Sequence, residues 1–272
     1  TAEGADEALF WKGRDVCTRL GLDYRSPARV RSVEVANRRV LLESGEGLDW
    51  DRLVIATGAR LFAPLAGREL DGIVNDNTRC AAEELVNEAR RGELESVLIV
   101  GAGFIGVEVA LLLCDQGLRV TVLERFDRVR PKRLDLETAQ IVAEALRRRG
   151  VDLRLRTEAL AFLSSPRSKG RVDAIELVSG ETLVADVFVA ATGVQPNVEF
   201  LAGSTLEVAW GIPVDESLRT SAEHVYAAGD VAEPHERFTG ERSVHALFPN
   251  ATAQAEIVAA TLLGHDLRYE GS

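Results

Sequence analysis

A stretch of fifteen residues occurs twice in this chain, and that duplication restricts the possible folds more than any other feature. Ser44-Gly-Glu-Gly-Leu-Asp-Trp-Asp-Arg-Leu-Val-Ile-Ala-Thr-Gly58 aligns without a gap on Ser179-Gly-Glu-Thr-Leu-Val-Ala-Asp-Val-Phe-Val-Ala-Ala-Thr-Gly193, at a constant offset of 135 residues and with nine of the fifteen positions identical. Identity at that level over a gapless window indicates duplication rather than two hairpins that happen to match. Each copy reads as a turn at Ser-Gly-Glu and then an apolar strand ending in Ala-Thr-Gly, where glycine lets a ligand come close to the backbone. Two related units are therefore expected, and 272 residues suffice for two cores.

Between the copies the apolar pattern alternates strand and helix. Glu95–Val100 reads as a buried strand, followed by Gly101-Ala-Gly-Phe-Ile-Gly106 and a helix from Phe104 to Gln116 that Gly117 stops. Arg119–Glu124 is the next strand, and Asp135 is the N-cap of a helix running to Gly150. Val151–Arg156 is a third strand, and residues 171–193 add a hairpin and the second Ala-Thr-Gly strand. Strands separated by helices form a parallel sheet, so the fold class is α/β with Rossmann-like dinucleotide-binding domains. If the first copy is built like the second, its glycine loop lies upstream of Thr1. Residues 1–60 then read as the tail of a first such domain, with a helix near Leu9–Leu20, a meander over Ala28–Leu42 and the first Ala-Thr-Gly strand.

The G-x-G-x-x-G at 101–106 is a weak signal alone, but here it follows a strand, opens a helix and precedes an acid, Glu124, at the end of the next strand. Gly101 permits the tight turn, Gly103 admits a pyrophosphate to the N–H groups of Phe104 and Ile105 at the helix start, and Gly106 lets helix and strand pack closely. Glu124 is expected to accept from the adenosine ribose 2′-hydroxyl, where a 2′-phosphate would meet like charge, so NADH is favoured over NADPH. Arg125, Arg128 and Arg130 lie close by in sequence, where they could soften that discrimination, although a solvated basic loop is the better reading of them. Glu108 sits one turn into the helix among apolar neighbours. An ion pair at a domain interface and a contact with the nicotinamide end account for it equally well.

Composition narrows the class further. A formal charge of -11 excludes a nucleic-acid or anionic-membrane surface, and no apolar run is long enough to span a bilayer. Cys17, Cys80 and Cys114 show neither a C-x-x-C pair nor zinc spacing, so no metal site is expected and the thiols read as reduced, in a cytoplasmic protein. The chain contains no methionine, even at its start, so Thr1 is not a natural initiation point.

Gly101-Ala-Gly-Phe-Ile-Gly-Val-Glu108, the paired Ala-Thr-Gly strands and Thr220-Ser-Ala-Glu-His-Val-Tyr-Ala-Ala-Gly-Asp230 together resemble the pyridine nucleotide-disulfide oxidoreductase superfamily. The chain looks most like its NADH oxidase, rubredoxin reductase, coenzyme A-disulfide reductase and nitrite reductase large-subunit branch. The resemblance implies FAD and NAD as cofactors, with an NAD domain at 76–210 inserted in a partial FAD domain made of 1–75 and the returning segment 211–272. It implies that Asp230 hydrogen-bonds the FAD ribitol, that Thr57 and Gly58 line the FAD side, and that Val30 meets the adenine through its backbone. Gly193, at the end of the second Ala-Thr-Gly strand, belongs with the NAD site.

The same resemblance places Glu108 near nicotinamide and flavin, and Phe104 where many relatives carry a gating Tyr. The helix opening at Pro249 would point its positive end at the flavin, favouring the reduced anion. The implied reaction is hydride transfer from NADH to flavin, with electrons passed to a small-molecule or protein acceptor and a homodimer as the full-length form. An NAD-binding or regulatory module without turnover is one alternative, and a disulfide reductase another. Because the first glycine loop lies upstream, the recorded chain is expected to bind NAD but to hold FAD weakly.

Overall fold

The computed structural model describes residues 15–74, 79–131, 133–166, 168 and 170–271. The first half of the helix expected near Leu9–Leu20 therefore falls outside the described residues, and its described helical part is α1 (Val16–Arg19). A meander follows, β1 (Val30–Glu34), β2 (Arg39–Leu42) and β3 (Gly47–Asp49), then β4 (Leu53–Ile55) and β5 (Ala59–Leu61). Next come β6 (Ile73–Val74), α2 (Arg79–Arg90), β7 (Ser96–Val100), α3 (Phe104–Asp115), β8 (Arg119–Glu124), α4 (Leu136–Arg148) and β9 (Asp152–Leu155). A second meander, β10 (Ala159–Leu163), β11 (Ala174–Leu177) and β12 (Thr182–Val184), leads to β13 (Val187–Ala190) and β14 (Val194–Pro196). The chain closes with β15 (Ile212–Pro213), β16 (Val225–Ala227), β17 (Ala232–Glu233) and α5 (Phe248–Leu262).

The duplication is written into the backbone hydrogen bonds. Leu42 N–H donates to Glu46 C=O and Leu177 N–H to Glu181 C=O, both at 2.9 Å, so each Ser-Gly-Glu turn closes the same way. In both turns the serine Oγ accepts at 3.4 Å from the glutamate N–H two residues on. The symmetry continues into the link between the units. Strands β5 and β14 pair antiparallel with Arg60 opposite Gln195, its counterpart at the 135-residue offset. Phe62 N–H donates to Gly193 C=O at 3.0 Å and Asn197 N–H to Gly58 C=O at 2.9 Å. The hydroxyls of Thr57 and Thr192 likewise donate to the carbonyls of Asn197 and Phe62. Two copies of one segment thus meet about a local two-fold axis, and this ribbon joins the units.

The central unit is a five-stranded sheet in the order β6-β13-β7-β8-β9, parallel throughout. Strand β7 is apolar over Val97–Val100 and buried on both faces, as an inner parallel strand must be. Side chains alternate between the faces with the period of two that a strand imposes. Val97, Ile99, Val120, Val122, Val187 and Val189 pack with Leu85, Ala110, Leu113, Ala139, Ala143 and Leu146 of α2, α3 and α4. Leu98, Val100, Leu123, Phe188 and Ala190 turn the other way, onto Phe162, Ile175 and Leu177 of the second meander. There the Phe162 and Phe188 rings meet edge to face, with centroids 6.2 Å apart. Helices thus cover one face and a meander the other. Asp135 caps α4 as expected, its carboxylate accepting from Thr138 N–H at 2.8 Å.

The flanking unit gathers Val33, Val40, Leu42, Ile55, Ile212, Val225, Ala227, Ile257 and Val258 into a separate core. Its β4 pairs parallel with β16, which aligns Ile55 with Ala227 and sets the chain after each strand side by side. The boundaries expected at 75/76 and 210/211 lie a little away from where the chain changes core. Ile73–Val74 pairs with β13 in the central sheet, whereas Leu201 and Leu206 pack in the flanking core.

Candidate nucleotide-binding site

The carboxyl ends of β7, β8 and β13 converge on the glycine loop, at the point where the strand order leaves β7 in both directions. Open α/β sheets bind ligands there. Gly101 has φ +104, and a Cβ on it would stand 2.4 Å from the Ala191 carbonyl oxygen at the end of β13. Gly106 closes the loop from the helix side, where a Cβ would overlap the Gly101 carbonyl oxygen. These two glycines fix the turn by contact with backbone. Gly103 differs, since a Cβ there would meet only Ala191 O, at 3.9 Å. It is the extended N-cap of α3 and no side chain caps that helix, so the N–H groups of its first turn are left for an anion. Gly193, at φ +141, has open space around its Cβ position beside this loop.

Glu124 is 6% exposed at the end of β8. One carboxylate oxygen accepts from Ala102 N–H at 2.9 Å and the other from Phe126 N–H at 3.0 Å. It therefore ties the glycine loop to the strand end, a duty beyond the ribose contact expected of it from the sequence. A carboxylate offers about four acceptor positions and two are taken, so the rest can serve a hydroxyl. Arg130 N–H donates to Ala102 C=O at 3.0 Å with Arg130 at φ +48, and its guanidinium lies 5.2 Å from the centre of the Phe104 ring. The basic loop is thus pinned to the glycine loop rather than free. Phe104 is 54% exposed at the helix start and Ile105 follows it at the surface. Glu108 is exposed and has no ion pair or side-chain hydrogen bond among the described residues. Of its two sequence readings, the ion pair is not present.

The second cluster of expected residues lies after β4 and β16. Thr57 and Gly58 follow β4, Gly229 and Asp230 follow β16, and Ala228 N–H donates to Ile55 C=O at 3.1 Å between them. The Asp230 carboxylate has no hydrogen-bond or ion-pair partner among the described residues, and burial pushes its pKa up from the ordinary carboxylate range. An unpaired, part-buried carboxylate at a sheet's carboxyl edge is suited to hydroxyl donors. Helix α5 packs on this turn through Gln254, which is 2% exposed and accepts from Gly229 N–H at 2.7 Å. Sequence reasoning passed over Gln254, and its one signal is an amide amid Ala, Ile and Val. The α5 N-terminus carries Pro249 in its first turn and no side-chain cap. Val30 opens β1 opposite Leu42 and packs against the flanking core. Among the described residues no group of His, Cys, Asp and Glu side chains is arranged to hold a metal, and no helix is long and apolar enough to cross a membrane.

Known proteins share this arrangement. Residues 2–255 match the pyridine nucleotide-disulphide oxidoreductase family, whose members use FAD and NAD(P)H. A CoA-dependent NAD(P)H sulfur oxidoreductase of Pyrococcus abyssi is 32% identical over 92% of this chain and 56% of its own length. The rubredoxin-NAD(+) reductase of Pseudomonas putida is 32% identical over 97% of this chain and 68% of its own. A ferredoxin reductase of Rhodopseudomonas palustris superposes with a TM-score of 0.86 at 31% identity, covering 95% of this chain and 63% of that one. The chain thus spans between about half and two thirds of the length of these relatives. Matched over residues 2–255 and 32% identical to a relative of which it covers 68%, the chain belongs to the pyridine nucleotide-disulphide oxidoreductase family.

Proposed function

We propose that this chain is the nucleotide-binding body of an FAD-dependent NADH oxidoreductase. The observation that carries the reading is the uncapped α3 N-terminus behind a loop that only glycine can form, with the Glu124 carboxylate beside it. The N–H groups of Phe104, Ile105 and Gly106 would hold the NAD pyrophosphate, and Glu124 would accept from the adenosine ribose. Glu108 and Phe104, both exposed on the first turn and a half of α3, would flank the nicotinamide. Thr57, Gly58 and Asp230 would face the flavin, with Asp230 accepting from ribitol hydroxyls and Val30 lying toward the adenine. When bound, the cofactors supply hydride transfer from nicotinamide to flavin. The chain's contribution is to hold both parties in place and to aim the positive end of α5 at the flavin side.

The names of the relatives point to small redox proteins or sulfur compounds as acceptors of the electrons. Chemistry on Cys114 draws no support, because burial pushes its thiol pKa up and away from the thiolate. Adding NADH without oxygen to the chain in the presence of FAD tests the reading. The expected result is loss of the flavin's visible absorbance that depends on the chain and stops when Gly101 is replaced. Retained absorbance with both nucleotides bound would leave a binding module without turnover.

A further inference from the structure

One buried group is used by neither nucleotide site. His245 lies three residues before α5 with its side chain 2% exposed, and its Nδ1 stands 2.8 Å from Nη2 of Arg133. Arg133 belongs to the loop between β8 and α4 in the central unit, 112 residues away. A guanidinium has only donors, so Nδ1 must accept, and the ring is neutral with its proton on Nε2. That Nε2 has no hydrogen-bond partner among the described residues, and Glu236 Oε1 is 3.7 Å from it and 4.0 Å from Arg133 Nη1. Glu236 is itself held, its Oε2 accepting from the Thr239 hydroxyl at 2.5 Å. Among the described residues, Arg133 and Glu236 are the charged groups facing the ring.

The contact continues into both candidate sites. Arg133 N–H donates to Arg130 C=O at 2.9 Å, and Arg130 N–H donates to Ala102 C=O in the glycine loop. On the other side Leu247 N–H donates to His245 C=O at 2.8 Å, and Leu247 is the N-cap of α5. A protonated ring would turn a second donor toward the Arg133 guanidinium, so the contact and the protonated state exclude each other.

We propose that Arg133 and His245 are positioning residues forming a clamp that fixes the glycine loop of the central unit relative to the α5 end of the flanking unit, and that the clamp closes only on the neutral imidazole. It rests on the oxidoreductase reading, because it assigns the clamp the task of setting the approach of one nucleotide to the other. Burial and the neighbouring Arg133 lower the pKa of His245, against a smaller opposing effect of Glu236. The neutral ring is therefore favoured in the folded chain. The clamp is complete above the ordinary imidazole pKa of about 6.5 and weakens as pH falls below it.

The test uses the whole chain with His245→Asn, His245→Leu and Arg133→Leu. Asparagine places an acceptor where Nδ1 stands and cannot be protonated near neutrality. Nitrogen-resolved NMR of the wild-type ring at about pH 8 should show Nδ1 bare and Nε2 protonated. Protection of the Arg130 and Leu247 amides, corrected for the intrinsic exchange rate, should fall about tenfold or more in both leucine variants, and should fall in the wild type but not in His245→Asn as pH is lowered from about 8 through the imidazole range. With FAD and NADH supplied, the leucine variants should reduce flavin about tenfold or more slowly, with NADH affinity changed less than about twofold. A proton on Nδ1 at about pH 8, or exchange unchanged in both leucine variants, overturns the clamp. If tautomer and exchange behave as expected while even the wild type fails to reduce flavin, the clamp stands and the oxidoreductase reading fails.

Discussion

Replacing Gly101 with alanine tests the glycine loop most severely. Two separate penalties are built into that position. Its φ of +104 is a conformation that L-residues avoid at a cost of roughly 1 to 2 kcal/mol. The added Cβ would also lie 2.4 Å from Ala191 O, against a limit of 3.0 Å, so the loop or the end of β13 must move by about 0.6 Å or more. Ala191 N–H is bonded to Val100 C=O at 2.8 Å, so that strand end cannot yield freely. Overpacking of this kind costs roughly 1 to 3 kcal/mol, for a total of roughly 2 to 5 kcal/mol. Gly117→Ala is the internal control, because Gly117 has φ +86 with nothing within 4 Å of its Cβ position and carries the first penalty alone. Urea unfolding followed by circular dichroism gives both stabilities, and fluorescence titration gives NADH affinity for each variant. Gly101→Ala should be the less stable by roughly 1 to 3 kcal/mol and should lose NADH binding, whereas Gly117→Ala keeps it. Equal stabilities with NADH affinity intact in both would refute the claim that contact with Ala191 organizes the loop.

Gln254→Leu should destabilise the chain by roughly 1 to 3 kcal/mol, because it strips the only described acceptor from Gly229 N–H, and denaturant unfolding reads this directly. Asp230→Asn works in the opposite direction. The raised pKa of Asp230 means that its contribution to stability is present below the ordinary carboxylate pKa and is lost as pH rises through the raised value. The variant should therefore melt above the wild type at about pH 7 and level with it at about pH 3, while binding FAD more weakly. Glu124→Ala should weaken NADH binding and narrow its advantage over NADPH, and should also quicken hydrogen exchange at the Ala102 amide that Glu124 now holds. Tighter binding of NADPH than NADH by the unmutated chain would show that Arg125 and its neighbours control the site.

Those parts of the molecule governed by local rules were legible in the sequence. The 135-residue repeat foretold two equivalent turns because Ser-Gly-Glu dictates its own hydrogen bonds. The G-x-G-x-x-G spacing was legible as a strand-to-helix turn because Gly101 takes a positive φ there and Gly106 meets the Gly101 carbonyl five residues away, whereas the contact of Gly101 with Ala191 was not. Asp135 announced its helix through the Thr138 amide three residues on. Longer-range features were not legible. Strands β5 and β14 are three residues each and acquire meaning only by pairing across the two copies, and β10 was hidden in a short apolar run with no alternation. Gln254 and His245 have partners 25 and 112 residues away, so nothing nearby marks either as a link. For Glu124 the place at the end of β8 was legible, but its bonds to Ala102 and Phe126 depend on the way the strand ends pack.

In the proposed function the pyridine nucleotide binds at the uncapped start of α3, beside Glu124. Backbone amide chemical shifts recorded while NADH is titrated into the isotope-labelled chain test it most directly. Saturable shifts should centre on residues 101–106, 124–126 and 191–193, with the amides of Phe104 and Ile105 moving most. Shifts confined to the turn at Gly229–Asp230 and the start of α5, or no shifts at concentrations that saturate NADH fluorescence, would contradict it.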